Sequence, residues 1–469
     1  MSESIGAATA VFKKSLAKLR LVITTGDALI WRQKLLWLGL ALAVRANAAG
    51  PQYTLPECVD RALKQNADVL VAKKRLEETA GLIIEARAGY LPSLTSYANY
   101  EYLESDYATL AGYYNYRPFV WNVYLRLTEN IYAGGATRGR LDIARLQKQS
   151  RLLDYQATVD RVIQDVRIAF YDILRDHADI LVHEQAIAFL RQQETNERNR
   201  LELGTGQKLN VMRAAVNLAF EEAALVDSRN RLHNACLQLS ELLAIPVATA
   251  VGDVPFDITG ELKREAAPPP LTDCLTRALT QRPELAARDN DVTVQRRQLT
   301  VDRSELFPHL DLFTGYDVVS EQDRTLPADH YSGYVAGVQV SWHIFDGLAT
   351  KGRLNATRAR LSAAETTATA MRRTAQAEVL RAYRDIQSAD EQLQTQTANV
   401  KLAEESLKLA TSNLELGLSS QLELLQSRLD FTRAQTAELS ARFDYNAALA
   451  RLERAVGSHF EFHTQEPGR

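Results

Sequence analysis

The chain has 469 residues, 46 % hydrophobic and 24 % charged, with a formal net charge of −3. That length exceeds a typical single domain, so internal organisation is expected. The balanced charge argues against a nucleic-acid partner, and three cysteines are too few to serve as a disulfide framework.

Lys34 precedes an apolar run from Leu35 to Val44, and Ala46-Asn47-Ala48 follows. Charge, then apolar residues, then small residues at alternate positions is the order of a secretory signal peptide. A short buried helix is the other reading of the same run. Read as a signal, residues 1–48 form a leader with an extended N-region and Ala49 opens the mature chain. The length of that N-region leaves the true start codon open. No later run reaches the roughly 18 apolar residues of a membrane helix.

From Leu55 onward the chain repeats itself. Leu55, Cys58, Arg61, Ala62, Leu63, Gln65, Pro92, Leu94 and Tyr100 recur in order as Leu271, Cys274, Arg277, Ala278, Leu279, Gln281, Pro308, Leu310 and Tyr316. At a slightly shorter offset Ile131, Ala136, Thr137, Gly139, Arg140, Leu141 and Arg145 recur as Ile344, Ala349, Thr350, Gly352, Arg353, Leu354 and Arg358. A shared order over so long a stretch is a duplication, not a short solenoid period. Residues 49–243 form a first repeat and 271–457 a second, each read as helix, two strands, very long helix, second helix. Residues 244–270, with Pro246, Gly252, Pro255, Gly260 and Pro268-Pro269-Pro270, make the linker, and 458–469 a tail.

The strands show period-two alternation. Phe119, Trp121, Val123, Leu125 and Leu127 alternate with Val120, Asn122, Tyr124, Arg126 and Thr128, and the pattern returns over Tyr334–Trp342. Partner strands are expected over Leu94–Tyr102 and Leu310–Val318, with polar extracellular loops over Leu103–Pro118 and Val319–His330. Alternation over about ten residues fits a transmembrane β-strand, and Tyr97, Tyr100, Tyr102 and Tyr132 suit interfacial girdles. A soluble β-meander capping a coiled coil shares the pattern. Four strands cannot close a barrel in lipid, where each unpaired backbone group costs several kcal/mol. Two copies would give a filled lumen and three a water-filled pore, so a trimer or larger is favoured.

Neither glycine nor proline occurs between Gly139 and Gly204, or between Gly352 and Gly417. Each stretch can extend about 95 Å as helix. In the second, Ala368, Met371, Ala375, Val379, Ala382, Ile386, Ala389 and Leu393, then Val400, Ala403, Leu407, Ala410 and Leu414, keep three-four spacing with Gln396 as the polar interruption. That is a coiled-coil seam. In the first, Val159, Val162, Val166, Ala169 and Ile173 form one seam and Ile163, Phe170, Leu174 and Leu181 a second, implying two neighbours. Leu203-Gly204-Thr205-Gly206 and Leu416-Gly417-Leu418-Ser419 read as turns between antiparallel helices. The fold class is mostly α with transmembrane β.

In this arrangement the chain resembles the outer-membrane efflux protein family, often called the TolC family, over roughly Tyr53–Gly457. The carriers are the duplication, the helix starts ending in Asn66-Ala67 and Arg282-Pro283, and Pro92 and Pro308 at helix-to-strand turns. Ile344-Phe345-Asp346-Gly347 matches the strand-to-helix turn, with Ile131-Tyr132-Ala133-Gly134-Gly135 a looser copy. The resemblance implies a homotrimer whose twelve-stranded β-barrel crosses the outer membrane of a Gram-negative bacterium and continues as a twelve-helix periplasmic α-barrel. It implies a passive exit duct of a tripartite efflux or type I secretion system, docked to a periplasmic adaptor (membrane fusion) protein and an inner-membrane transporter, without enzymatic chemistry or cofactor.

The resemblance also points to particular residues. The turns at Gly204, Gly206 and Gly417 would contact the adaptor, and Glu423 and Gln426 would stand at the channel constriction. Asn210 is the first-repeat counterpart of Glu423. Leu414 and Ser419 occupy constriction positions where some members carry a tyrosine and an arginine in closing links, so that latch is not expected here. A solvated helix residue is the plain alternative for Glu423. Two other functions compete: a non-conducting coiled-coil envelope protein, and a periplasmic adaptor.

The remaining signals carry no chemistry. His177 and His183 are six apart without ligand spacing and read as helix-surface residues. Cys58 and Cys274 hold equivalent repeat positions and read as packing residues; oxidation of these or of Cys236 is not decided by spacing. Gly134-Gly135 lacks the lysine of a phosphate loop.

Overall fold

The computed structural model describes residues 52–102, 104, 106, 119–246, 256–320 and 330–457. The expected leader, most of both extracellular loops, part of the linker and the tail lie outside those residues. The chain divides into two units. In the smaller, β1 (Gln52–Tyr53) and β4 (Asp257–Ile258) pair in parallel, and the Tyr53 and Phe256 rings meet edge-on at 6.0 Å. This strand lies within the expected linker.

The larger unit holds both repeats. The first contains α1 (Leu55–Gln65), α2 (Ala67–Ala88), β2 (Ser93–Tyr102), β3 (Phe119–Ala133), α3 (Ala136–Glu202) and α4 (Lys208–Leu242). The second contains α5 (Leu271–Gln281), α6 (Pro283–Ser304), β5 (His309–Ser320), β6 (His330–Ser341), α7 (Ala349–Glu415) and α8 (Gln421–Val456). Each repeat opens with two helices, not the single one expected. Asn66 adopts extended backbone and its side chain accepts from the Asp68 and Val69 N–H groups, which ends one helix and caps the next. At Arg282 the same break is made by Pro283, seated in the first turn of α6.

Both long helices run 67 residues, on the order of 100 Å. In α7 the expected seam faces inward throughout: Ala368, Ala375, Val379, Ile386, Ala389, Leu393 and Ala410 are buried, and the other members half-buried. In α3 the seams hold as far as Leu174, but Leu181 is 59 % exposed and belongs to neither. Past Leu174 the buried positions are Asp176, Asp179, Val182, Ala186, Ile187, Leu190 and Glu197. Leu181 points the same way as Ile163, about five turns earlier, but lacks the cover that Phe170 and Leu174 find against Gly260. Packing places the long helices in a row, α4–α3–α8–α7, with α4 and α7 at its ends. Below α5, Cys274 and Ala278 join Val379, Ile386, Tyr445, Leu449 and Leu452 in one core.

The sheet is antiparallel in the order β2-β3-β5-β6. Val123 faces Ala98 on one side and Val318 on the other, so one parity of residues shares a face across all four strands. A bulge between Asn130 and Tyr132 shifts register at the end of β3. No helix among the described residues is long and apolar enough to cross a membrane.

Candidate functional site

The sheet presents two unlike faces. One carries Leu94, Tyr100, Phe119, Val123, Val338 and Val340, all exposed, with Tyr334 at 90 %. So broad an exposed apolar surface marks a lipid or partner contact. The other face carries Asn122, Arg126 and Asp317, with Asn130 donating to Asp311 at 2.8 Å. Arg126 lies over the Tyr124 and Phe313 rings at 5.2 and 5.1 Å. Tyr97 stacks on Tyr124 and so belongs to this polar face, apart from Tyr100 and Tyr102 on the apolar one. Its girdle role is therefore corrected: strand parity, not aromatic character, decides the side. Pro92 and Pro308 stand where expected, each following a tight turn off a helix and preceding a strand.

At the far ends of the long helices, Gly204 and Gly417 take φ of +76° and +70°, a backbone that L side chains rarely adopt. The Thr205 and Gly206 N–H groups both donate to Arg200 O at 2.9 Å; those of Leu418 and Ser419 both donate to Asn413 O. Orphan carbonyls of the helix end are satisfied in this way. A Cβ on Gly206 would stand 2.7 Å from Leu201 N, so the turn closes too tightly for a side chain. Ser419 Oγ donates to Ala410 O at 3.2 Å, while Leu414 is half-buried and its carbonyl accepts the Gly417 N–H.

Glu423 is exposed in the first turn of α8, where its carboxylate accepts the Ser420 N–H in a capping box. Gln426, also exposed, donates from Nε2 to both oxygens of Asp430 at 3.1 and 3.2 Å. Asn210 is half-buried in the first turn of α4, its N–H donating to Gln207 O. Glu423 and Gln426 thus lie one turn apart, while Asn210 sits on a separate helix. Between α4 and α8 at this level runs a groove of about 370 Å³, lined by Leu209, Met212 and Val216 on one side and Leu422, Leu425 and Leu429 on the other.

Other residues of the site had little sequence signal. Asp430 extends the polar face of Glu423 and Gln426 by one turn. Arg167, 4 % exposed, pairs with Glu453 and with Glu265, the latter at 2.6 Å, and Tyr171 donates to Glu265. Burial works to lower the Arg167 pKa, but Glu453 and Glu265 together hold it above the ordinary value. His183 is not a surface residue: its side chain is 12 % exposed and lies between Glu221 and Asp179. Asp176, Asp179 and His183 interrupt the apolar positions of α3, and that interruption was the available clue. The three cysteines are buried and form no disulfide, and burial pushes the Cys58 thiol up to about 12.

No curated protein matches the chain. Solved structures do. The Campylobacter jejuni CmeC outer membrane channel is 17 % identical with TM-score 0.73, over 86 % of this chain and 85 % of that one. The Vibrio cholerae outer membrane protein VceC is 16 % identical with TM-score 0.71, over 87 % and 97 %. The Neisseria gonorrhoeae MtrE outer membrane channel, in an open state, is 18 % identical with TM-score 0.70, over 87 % and 90 %. At such identity the likeness concerns the fold. Membership rests on sequence: the pattern described as outer membrane efflux protein matches residues 58–244 and again 274–458, one block in each repeat. The chain belongs to the outer membrane efflux protein family.

Proposed function

We propose that three copies of this chain close into one outer-membrane channel, the passive exit duct of a tripartite efflux or type I secretion system. One observation carries the reading. Both layers end unfinished, the sheet at β2 and β6 and the helix row at α4 and α7. An unpaired strand edge in hydrocarbon is costly, so β6 of one copy must meet β2 of the next. With four strands per copy, three copies give twelve, enough for a water-filled lumen. The apolar face then meets lipid, and the Arg126 face lines the passage.

In this reading Glu423 and Gln426 stand at the periplasmic constriction, with Asn210, Leu414 and Ser419 around it. The turns at Gly204, Gly206 and Gly417, with the apolar groove between α4 and α8, receive a periplasmic adaptor, which an inner-membrane transporter joins. Residues 1–48 act as the export leader, 49–243 and 271–457 as the repeats, 244–270 as linker and 458–469 as tail.

The test is the full-length protein extracted from outer membranes. Heat-modifiable trimers that conduct ions in planar bilayers are expected. Monomeric, water-soluble material would exclude the duct, and trimers that never conduct, even after the tip contacts are disrupted, would favour a structural spacer.

A further inference from the structure

Midway along the long helices lies a buried polar network that the duct reading leaves without a task. Asp179 of α3 accepts from Ser228 Oγ at 2.8 Å and Arg231 Nη2 at 2.6 Å on α4, and from Thr436 Oγ1 at 3.0 Å on α8. One turn further, His183 Nδ1 lies 2.7 Å from Glu221 of α4, and its Nε2 lies 3.7 Å from Asp179. Arg428 of α8 completes the arrangement. It is 7 % exposed and lies over the Phe189 and Phe431 rings at 5.2 and 5.7 Å. Its Nε and Nη2 are buried and donate to no acceptor among the described residues.

A buried guanidinium with idle N–H groups is costly, so it is a group that an acceptor would stabilise. The carboxylate whose charge acts on Arg428 is Glu221, the same one held by His183. These residues form no metal-binding group. The charges acting on His183 are Asp179 on its own helix and Glu221 and Arg231 on α4; Arg428 of α8 shares Glu221 with it.

We propose that His183 and Arg428 compete for Glu221, so that the proton on His183 sets how closely α8 is held to α4. With His183 protonated, Glu221 is engaged inside the α3–α4 pair and α8 is tied by Thr436 to Asp179. When the proton leaves, the imidazole no longer balances the Glu221 charge, and the carboxylate turns to the idle N–H groups of Arg428. The Glu221 hydrogen bond, helped by the Asp179 charge against the effect of burial, raises the His183 pKa above its ordinary 6.5. The sign follows: the His183 contribution to α3–α4 pairing is full below the ordinary value and is lost as pH rises through the raised one. The exchange thus occurs on the alkaline side of a free histidine.

Because α8 begins at the tip, its distance from α4 sets the width of the groove between them. The consequence for conductance rests on the duct reading; the exchange itself does not. The test uses full-length protein in detergent, with spin labels on Asn217→Cys and Leu429→Cys, which line that groove on opposite helices. The native thiols are buried and stay unlabelled. The inter-label distance is expected to shorten as pH rises through one transition above 6.5. His183→Gln should abolish the transition and fix the short distance, and Arg428→Gln should fix the long one. A distance indifferent to pH, or one that still shifts in His183→Gln or in Arg428→Gln, overturns the exchange. A shifting distance in a protein that conducts at no pH, even after the tip contacts are disrupted, supports the exchange and counts against the duct reading alone.

Discussion

Ser420 and Glu423 exchange hydrogen bonds at the start of α8: the Ser420 N–H donates to the Glu423 carboxylate at 3.1 Å, and the Glu423 N–H donates to Ser420 Oγ at 3.3 Å. A residue proposed to face the pore therefore has a local task as well, and mutagenesis must separate the two. Ser420→Ala removes a cap worth ~1 kcal/mol and leaves the charge in place. Glu423→Gln keeps an acceptor and removes the charge. Cation preference, read as reversal potential across a salt gradient, should fall in Glu423→Gln and persist in Ser420→Ala. The reverse order would make Glu423 a capping residue only.

The turn at Gly417 holds φ at +70°. Gly417→Ala places a Cβ in that conformation at a cost of about 1–2 kcal/mol. Opening of the α7–α8 turn should become roughly 5–30-fold more populated, seen as faster proteolysis at the tip of the intact protein. Unchanged cleavage would mean that neighbouring contacts impose the turn.

Arg167 neutralises two carboxylates at a buried site, Glu453 being 4 % exposed. Arg167→Met leaves both without their cation, which typically costs 3–5 kcal/mol. Chemical denaturation of the full-length protein should show the loss, and adding Glu453→Gln should recover part of it. Absence of recovery would assign the loss to packing of the arginine stem.

Val123 and Tyr124 are neighbours on β3 that face opposite sides. Val123→Lys puts an ammonium on the apolar face, where lipid exacts roughly 2–4 kcal/mol near the midplane. Heat-modifiable protein in outer-membrane fractions should drop sharply for Val123→Lys and little for Tyr124→Lys. Equal behaviour of the two variants would remove the lipid-facing assignment.

How far the amino-acid order discloses this structure depends on distance along the chain. The long helices, the α7 seam, the strand parities and the glycine turns all follow from periodicities of two to four residues, and they were legible. Ser420-Gln421-Leu422-Glu423 is likewise a local capping pattern that can be read directly. The split at Asn66 was missed because an asparagine inside a helical stretch is also compatible with continuation; its side-chain bonds decide otherwise. Leu181 was misplaced because periodicity gives the direction of a side chain but not where the cover over that direction ends. Periodicity likewise does not disclose the meeting of Asp179 with Thr436, which are remote in the chain and joined by the packing of α3 on α8. His183 went with them.

In the proposed ring the two ends of the sheet and of the helix row are different surfaces, so each subunit would both offer one side and receive on the other. A copy damaged on only one side still recruits a healthy neighbour through its sound side, then halts completion of the ring. Such alleles should act dominantly. With intact and damaged chains made in equal amounts and mixing freely into threefold rings, roughly one ring in eight would be free of the damaged chain.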